Sequence, residues 1–202
     1  MADSARFENG SVQIRKSEVG DFGNNAYVVA CMETGVSLIV DAAADAKRVI
    51  ALAEDTNPIA VFTTHGHADH VGAAAEVSGQ FDIPIRLHPA DWGMCPVEID
   101  EPIGPGDFQL GKAIVRLVHT PGHTPGSMGL VTEGAAITGD TLFPGGPGAT
   151  RFPYSDFDQI MESIEREYFS LPDATIVMPG HGLNTTIGTE RPALPDWRER
   201  RW

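Results

Sequence analysis

Three of the seven histidines lie within six residues, in His65-Gly-His67-Ala-Asp69-His70, directly after the apolar run 59–62. A strand that ends in a tight turn lets neighbouring imidazoles point at one position, and Gly66 and Ala68 add no bulk there. Imidazole together with carboxylate suits zinc, iron or manganese, and the absence of cysteine argues against a purely structural zinc site. The motif therefore predicts a metal centre at a strand end, to which the fold must bring further ligands.

Three later segments repeat this context, an apolar run that ends in a Gly- or Pro-rich turn with a polar side chain. They are HTPGHTPGS with His123, ITGDTLF with Asp140, and IVMPGHG with His181. Because a buried metal cluster needs ligands from several strand ends, we expect these side chains to converge on the first motif. His88 and His119 are not needed by this pattern, and we interpret them as structural residues or as partners of the ligands.

The order of elements along the chain predicts a layered α/β fold with helices covering sheets. Strands are predicted at 11–14, 25–31, 36–41, 59–62, 83–87, 113–118, 127–132, 134–138 and 175–178. Helical spacing predicts helices over 45–55, capped by Asp45, through 71–77, and over 156–169, where Asp156 and Gln159 form a capping box. The Pro/Gly-rich stretch 96–107 predicts irregular structure.

Composition limits the partners and the location of the chain. A net charge of −14 over 202 residues disfavours nucleic acid and anionic membrane surfaces. No run approaches the ~18 apolar residues of a membrane span, the start is polar and acidic, and the two cysteines are far apart. These features predict a reduced, cytoplasmic protein with one domain over 1–190. Over 191–202 we expect a solvated or loosely docked C-terminal tail, where arginines surround Trp197 and Trp202.

From FGNNAYVV (22–29) to PGHG (179–182), the chain resembles the metallo-β-lactamase superfamily and, within it, the glyoxalase II-like hydrolases. The resemblance implies a single-domain, four-layer αβ/βα sandwich. It also implies that His65, His67 and His123 hold a first ion, that Asp69, His70 and His181 hold a second, and that Asp140 bridges both. Two divalent ions, zinc foremost with iron and manganese open, would share a water that attacks as hydroxide near neutral pH. Asp69 would orient that water or accept its proton.

The activity that the resemblance implies is hydrolysis of a small thioester of the S-2-hydroxyacyl type. We place substrate selection on the loop 144–156, with Arg151, Phe152 and Tyr154 as substrate-binding residues. Glyoxalase II proper has a C-terminal helical domain and a Cys-Gly-Arg element after the bridging aspartate. Here the corresponding stretch reads Gly-Pro-Gly-Ala-Thr-Arg, so glutathione as the thiol does not follow.

Other activities of the same fold remain as alternatives. A mononuclear-iron persulfide (sulfur) dioxygenase typically has an Arg-Thr-Asp-Phe element after the bridging aspartate, which this sequence lacks. A lactone or ester hydrolase stays open. β-Lactamases of the superfamily usually have cysteine or serine where Asp140 stands. Nucleases of the superfamily need basic surfaces. The thiol, the acyl group, the metal and the oligomeric state are left open by the sequence.

Overall fold

The computed structural model describes residues 5–201, which contain two β-sheets packed face to face. The strands of the first sheet are β1 (Ala5–Asn9), β2 (Val12–Val19), β3 (Asn24–Cys31), β4 (Val36–Val40), β5 (Asn57–Phe62), β6 (Ile85–Leu87) and β7 (Glu101–Pro102). They are hydrogen-bonded in that order, antiparallel from β1 to β4 and parallel from β4 to β7. Because β4 and β5 are parallel, the residues that follow them lie at the same edge of the sheet.

The remaining strands belong to the second half of the chain. They are β8 (Gly106–Leu110), β9 (Ala113–His119), β10 (Met128–Thr132), β11 (Ala135–Gly139), β12 (Leu142–Phe143), β13 (Gly146–Pro147), β14 (Ile176–Pro179) and β15 (Thr185–Thr186). The second sheet has the order β15-β14-β11-β10-β9-β8, and β12 pairs with β13 separately. β11 and β14 are parallel, so Asp140 and His181 leave the sheet at one edge.

In residues 5–201, six α-helices connect or cover these strands. They are α1 (Ala46–Ala53), α2 (Ala68–Val71), α3 (Ala74–Phe81), α4 (Phe157–Ser163), α5 (Ile187–Glu190) and α6 (Leu194–Arg200). A π-helical turn, Ile164–Tyr168, continues α4, and 3-10 turns lie at Pro89–Asp91 and Arg191–Ala193. None of the helices in residues 5–201 has the length and apolar character that a bilayer span requires.

Three apolar clusters define the layers. The first lies between the two sheets and includes Tyr27 and Leu130. The second joins the outer face of the first sheet to α1 and α3, through residues such as Val49. The third joins the second sheet to α4 and α6, through Ile160 and Trp197. The order helix, sheet, sheet, helix confirms the predicted four-layer α/β sandwich.

Most predicted elements are present, and the differences have local causes. Asp45 precedes α1, but it has a φ of 50° and its side chain does not cap the helix. Its carboxylate instead accepts a hydrogen bond from the Gly20 N–H at 3.2 Å. Asp156 does cap α4, accepting from the Gln159 N–H at 3.0 Å. The end of the stretch predicted as irregular enters β8, whose alternating pattern was hidden by Gly106 and Asp107.

The segment after residue 190 is packed more closely than the solvated or loosely docked tail expected there. Its helix α6 buries Trp197, which is 1% exposed, in the third apolar cluster. Ion pairs join Arg198 to Glu165 and Arg201 to Asp158, so arginines that cluster in the sequence are divided among acidic partners. The domain boundary at 190 stays a prediction, and Trp202 and residues 1–4 lie outside the described residues.

Candidate metal centre

All seven predicted ligands lie at one edge of the sandwich, where β5, β9, β11 and β14 end. His65 and His67 follow β5, Asp69 and His70 lie on α2, and His123, Asp140 and His181 follow β9, β11 and β14. Their ligand atoms form three groups within which every atom lies within 4.8 Å of the others: His65–His67–His123, His65–His70–Asp140 and Asp69–His70–His181. The separate sequence motifs therefore form one cluster, and the role of each residue as a ligand stays a prediction.

In the first group, three ring nitrogens face a common point. His67 Nδ1 lies 3.0 Å from His65 Nε2 and 3.1 Å from His123 Nε2. The rings meet edge to face, with interplanar angles of 80° to 89°. Three nitrogen donors that converge without a carboxylate between them suit a borderline divalent cation such as zinc or iron.

The Asp69–His70–His181 group mixes imidazole and carboxylate. Asp140 lies between this group and the three-histidine group. His181 Nε2 lies 3.2 Å from His70 Nε2 and 3.4 Å from Asp69 Oδ2. Asp140 Oδ1 is 3.5 Å from His70 Nε2, whereas its Oδ2 is 3.8 Å from His123 Nε2. A carboxylate with contacts to both groups has the position that a bridging ligand needs.

The outer nitrogens of four of these rings are held by oxygen atoms of the fold. The Asp41 carboxylate lies 2.9 Å from the outer nitrogen of His70, and the Thr64 hydroxyl lies 3.1 Å from that of His65. Main-chain carbonyls contact the other two rings, that of Ala149 at 2.8 Å from His123 and that of Phe22 at 3.1 Å from His181. An acceptor on the outer nitrogen keeps the ring proton there and leaves the inner nitrogen with a free lone pair. This is the tautomer that a metal ligand requires.

Asp41 is a positioning residue that the sequence analysis missed. It follows β4 with a φ of 54° and is 1% exposed. Its Oδ1 accepts from the Thr64 N–H at 2.7 Å, and its Oδ2 accepts from the Thr64 hydroxyl at 2.7 Å and from His70. Because Thr64 precedes His65, a single carboxylate fixes the start of the histidine motif and the ring of His70.

Asp91, also missed, joins two of the ligand-bearing loops. It is fully buried, and it accepts from the Gly66 N–H at 3.0 Å, the Thr124 hydroxyl at 2.6 Å and the Gly126 N–H at 2.6 Å. Gly66 lies between His65 and His67, and Thr124 follows His123. Asp91 thus sets the separation of the two segments that form the three-histidine group.

Two features of the cluster fit a resident metal. Asp140 Oδ1 is buried without a hydrogen-bond partner, and an orphaned buried carboxylate oxygen is costly unless a cation satisfies it. A Cβ on Gly180 would overlap that same oxygen, and a Cβ on Gly66 would lie 2.8 Å from the Asp91 carbonyl. Glycine is therefore required at both places for the ligand loops to approach each other.

The two histidine groups differ in their protonation. Burial lowers the pKa of His65 and His67, as it does that of His123, and the neighbouring imidazoles add to the effect. In the second group, hydrogen bonds with Asp140 and Asp69 raise the pKa of His181 to about 10. Burial opposes protonation of His70, but Asp140 and Asp41 raise its pKa well above the usual value. The pKa values in the three-histidine group are therefore lowered, whereas those of His70 and His181 are raised.

We expect the two groups to bind metal with different proton release. A histidine must be unprotonated to coordinate, so a raised pKa means that a proton leaves when the ion enters. Filling the Asp69–His70–His181 group at pH 7 should therefore release more protons per ion than filling the three-histidine group. Titration calorimetry of the metal-free protein, in buffers of different ionisation enthalpy, measures this number. Equal proton release in both binding steps would contradict the assignment.

The predicted substrate-binding residues form a wall beside His67. The ring of Phe152 lies 5.3 Å from that of His67 and stacks on Tyr154 at 5.4 Å with an interplanar angle of 11°. The Tyr154 hydroxyl is 2.8 Å from His67 Nε2. The Arg151 guanidinium, which is exposed, lies 5.5 Å from the Phe152 ring centre. These residues lie beside the cluster, and their binding of substrate stays a prediction.

Two further side chains near the cluster were not singled out from the sequence. Phe22 and Leu183 are 77% and 81% exposed, and they lie next to His181, which bonds to the Phe22 carbonyl. Exposed apolar side chains near a metal cluster are typical of substrate-binding surfaces. Only the exposure could have revealed them, because both lie in turn sequences.

His88 and His119 lie outside the ligand groups, as expected. Their rings stack at 4.4 Å with an interplanar angle of 16°. His119 Nε2 donates to the Pro125 carbonyl at 2.9 Å, and His88 Nδ1 accepts from the Ala90 N–H at 3.3 Å. Both have the structural role that we predicted, since they fix the backbone on either side of Asp91 and His123.

Comparison with known proteins agrees with this geometry. The family model for the metallo-beta-lactamase superfamily matches residues 19–181. Hydroxyacylglutathione hydrolase GloC from Haemophilus influenzae is 33% identical, over 78% of this chain and 85% of its own. Among solved structures, the BLEG-1 B3 metallo-beta-lactamase has a TM-score of 0.81 and 30% identity, covering 91% of this chain and 98% of its own. TTHA1623 in a di-iron-bound form has a TM-score of 0.76 and 31% identity, covering 87% and 96%.

Proposed function

The chain belongs to the metallo-β-lactamase superfamily of metal-dependent hydrolases, and from this premise we propose that it hydrolyses a small thioester at a centre of two divalent ions. The observation that carries the proposal is the pair of ligand groups, His65–His67–His123 and Asp69–His70–His181, with Asp140 between them. Seven side chains are more than one ion of tetrahedral or octahedral geometry uses. Zinc is our first choice, and the di-iron form of a neighbour keeps iron in the test.

Bound divalent ions supply Lewis acidity toward an acyl carbonyl and a deprotonated water near neutral pH. The protein supplies the base and the orientation. The carboxylate of Asp69 is 38% exposed, so one side of it faces the cleft. Asn24 Nδ2 donates to its Oδ2 at 3.2 Å and to its carbonyl at 2.8 Å. Asp69 is thereby held in one orientation and kept ionised by hydrogen bonding with His181, which lowers its pKa. Its carboxylate would therefore accept a hydrogen bond from the attacking water and orient it, or take up its proton.

The rim of the cluster supports a substrate with apolar and anionic parts. Phe152 and Tyr154 present a flat aromatic surface, and the exposed Arg151 guanidinium at its edge can bind a carboxylate. The sequence by itself does not imply glutathione as the thiol. Because a relative that matches over 85% of its length is called a hydroxyacylglutathione hydrolase, S-lactoylglutathione is nevertheless the first substrate to test.

The test uses protein purified without chelators, with metal per chain and thioester hydrolysis measured on the same sample. We expect about two divalent ions per chain and hydrolysis of S-lactoylglutathione, or of the lactoyl thioester of the neutral thiol N-acetylcysteamine. Comparison of these two substrates shows whether the glutathione carboxylates contribute. A chelator-treated portion, which should be inactive until metal is restored, is the control.

Two results would contradict the proposal. A single iron per chain, without hydrolysis but with oxygen uptake in the presence of a persulfide, would indicate the dioxygenase chemistry. Hydrolysis of the β-lactam nitrocefin at a higher kcat/KM than either thioester would indicate a lactamase, in keeping with the name of the BLEG-1 neighbour. Both assays are run on the sample whose metal content is known.

A further inference from the structure

The outer nitrogen of His67 has a different kind of partner from those of the other four rings in the cluster. Main-chain carbonyls, a buried carboxylate and a buried hydroxyl hold the other rings. His67 Nε2 instead lies 2.8 Å from the hydroxyl of Tyr154, a residue that is 41% exposed. Tyr154 belongs to the loop 144–156, which follows Asp140 and on which we place substrate selection. One ligand of the three-histidine group thus depends on the loop that meets the substrate.

The direction of this hydrogen bond follows from the ring geometry. His67 Nδ1 faces His65 and His123 and is the atom that points at the centre. When that nitrogen coordinates, it carries no proton, so Nε2 carries the ring proton and donates it to the Tyr154 oxygen. The tyrosine keeps its own hydroxyl proton for an acceptor in the cleft.

The position of the Tyr154 hydroxyl is determined by packing. Its ring stacks on Phe152 with an interplanar angle of 11°, and Phe152 in turn contacts the rings of His67 and His123 at 5.3 and 6.0 Å. His67 is half-buried, whereas His65 and His123 are buried. Surrounding side chains therefore restrain His67 less than its neighbours, and its orientation depends more on this one hydrogen bond.

We propose that Tyr154 is a positioning residue that orients His67 and so couples the substrate loop to retention of the ion in the three-histidine group. Partners of metal-bound imidazoles contribute about 10- to 100-fold to metal affinity when they are removed one at a time. The inference rests on the ligand groups of the proposed function and not on the identity of the substrate. A readout based on metal release therefore separates the two.

The experiment compares metal release from zinc-loaded wild-type protein and from Tyr154→Phe, using a chromogenic chelator in excess. We expect the variant to release one zinc equivalent about 10- to 100-fold faster, with the other equivalent unchanged, because the Asp69–His70–His181 group does not include His67. The matched control is Tyr168→Phe, which removes the same atom from a tyrosine buried in the third apolar cluster. It should release both equivalents at the wild-type rates.

Release of both equivalents from Tyr154→Phe at wild-type rates would overturn the proposal, and so would equal acceleration of both. If wild-type protein retains only one equivalent, the two-ion function fails. The inference is then tested on that equivalent, which must be released faster from Tyr154→Phe than from wild-type protein. Absence of thioester hydrolysis alone does not alter any of these rates.

Discussion

Replacement of Asp140 by asparagine is expected to abolish one metal equivalent and to lower hydrolysis about 1,000-fold or more. Asn keeps the shape of the side chain but offers one oxygen and no charge. Asp140 contacts both ligand groups, with Oδ1 near His70 and Oδ2 near His123 and His181. A bridging carboxylate that places two cations accounts for several kcal/mol of transition-state stabilisation, and about 4 kcal/mol corresponds to 1,000-fold.

The measurement is kcat/KM for the best thioester, together with metal per chain after gel filtration. Asp173→Asn is the matched control, because its carboxylate is 72% exposed and pairs with Arg191 at the surface; it should change neither quantity. Two retained ions and a rate within tenfold of wild type in Asp140→Asn would contradict the bridging role. Loss of both ions, with the fold intact by circular dichroism, would mean that Asp140 is needed for binding at both ligand groups and not only at Asp69–His70–His181.

The clustering of the seven candidate ligands could be predicted because each stands in a short motif at a strand end. The four candidate ligands between His65 and His70 lie on a single loop and the short helix that follows it, so they are close in space because they are close in sequence. His123, Asp140 and His181 follow strands of one sheet, and apolar runs ending in glycine-rich turns mark such positions. Neither inference needs the order of strands within a sheet.

The residues that orient the ligands could not be predicted, because their roles depend on pairing between distant segments. Asp41 reaches Thr64 only since β4 and β5 are parallel neighbours. Asp91 reaches Gly126 only since the chain after β6 folds over the turn that carries His123. In the sequence, each reads as an acidic residue at the end of a strand or in a turn, and neighbouring His88 is the more conspicuous residue.

The C-terminal segment shows how charge can obscure an amphipathic helix. The arginines around Trp197 suggested a solvated or loosely docked tail, but Leu194 and Trp197 have i, i+3 spacing and pack, with Ala193, in the third apolar cluster. Ile187, on α5 and seven residues before Leu194, belongs to the same cluster. The high charge of the segment led us to overlook the pattern of these four apolar residues.

Replacement of Trp197 by alanine is therefore expected to lower the free energy of unfolding by about 3–5 kcal/mol, the usual cost of removing a buried Trp side chain. Its ring is 1% exposed and lies 6.0 Å from that of Phe169. The effect should be measured by urea unfolding of the metal-free protein, because bound ions add their own stabilisation. Arg198→Ala, which removes only the surface ion pair with Glu165, should cost no more than about 1 kcal/mol.

Trp197→Ala also tests whether α6 supports the metal centre. The helix packs against α4, whose Ser163 hydroxyl donates to the Pro121 carbonyl at 2.8 Å, while the Asp156 N–H ahead of α4 donates to the Gly122 carbonyl at 2.8 Å. These bonds hold the turn that carries His123. Trp197→Ala should therefore lower the temperature at which the three-histidine group loses its ion along with the unfolding temperature. A loss of stability under about 1 kcal/mol would instead restore the loosely docked tail that the sequence suggested.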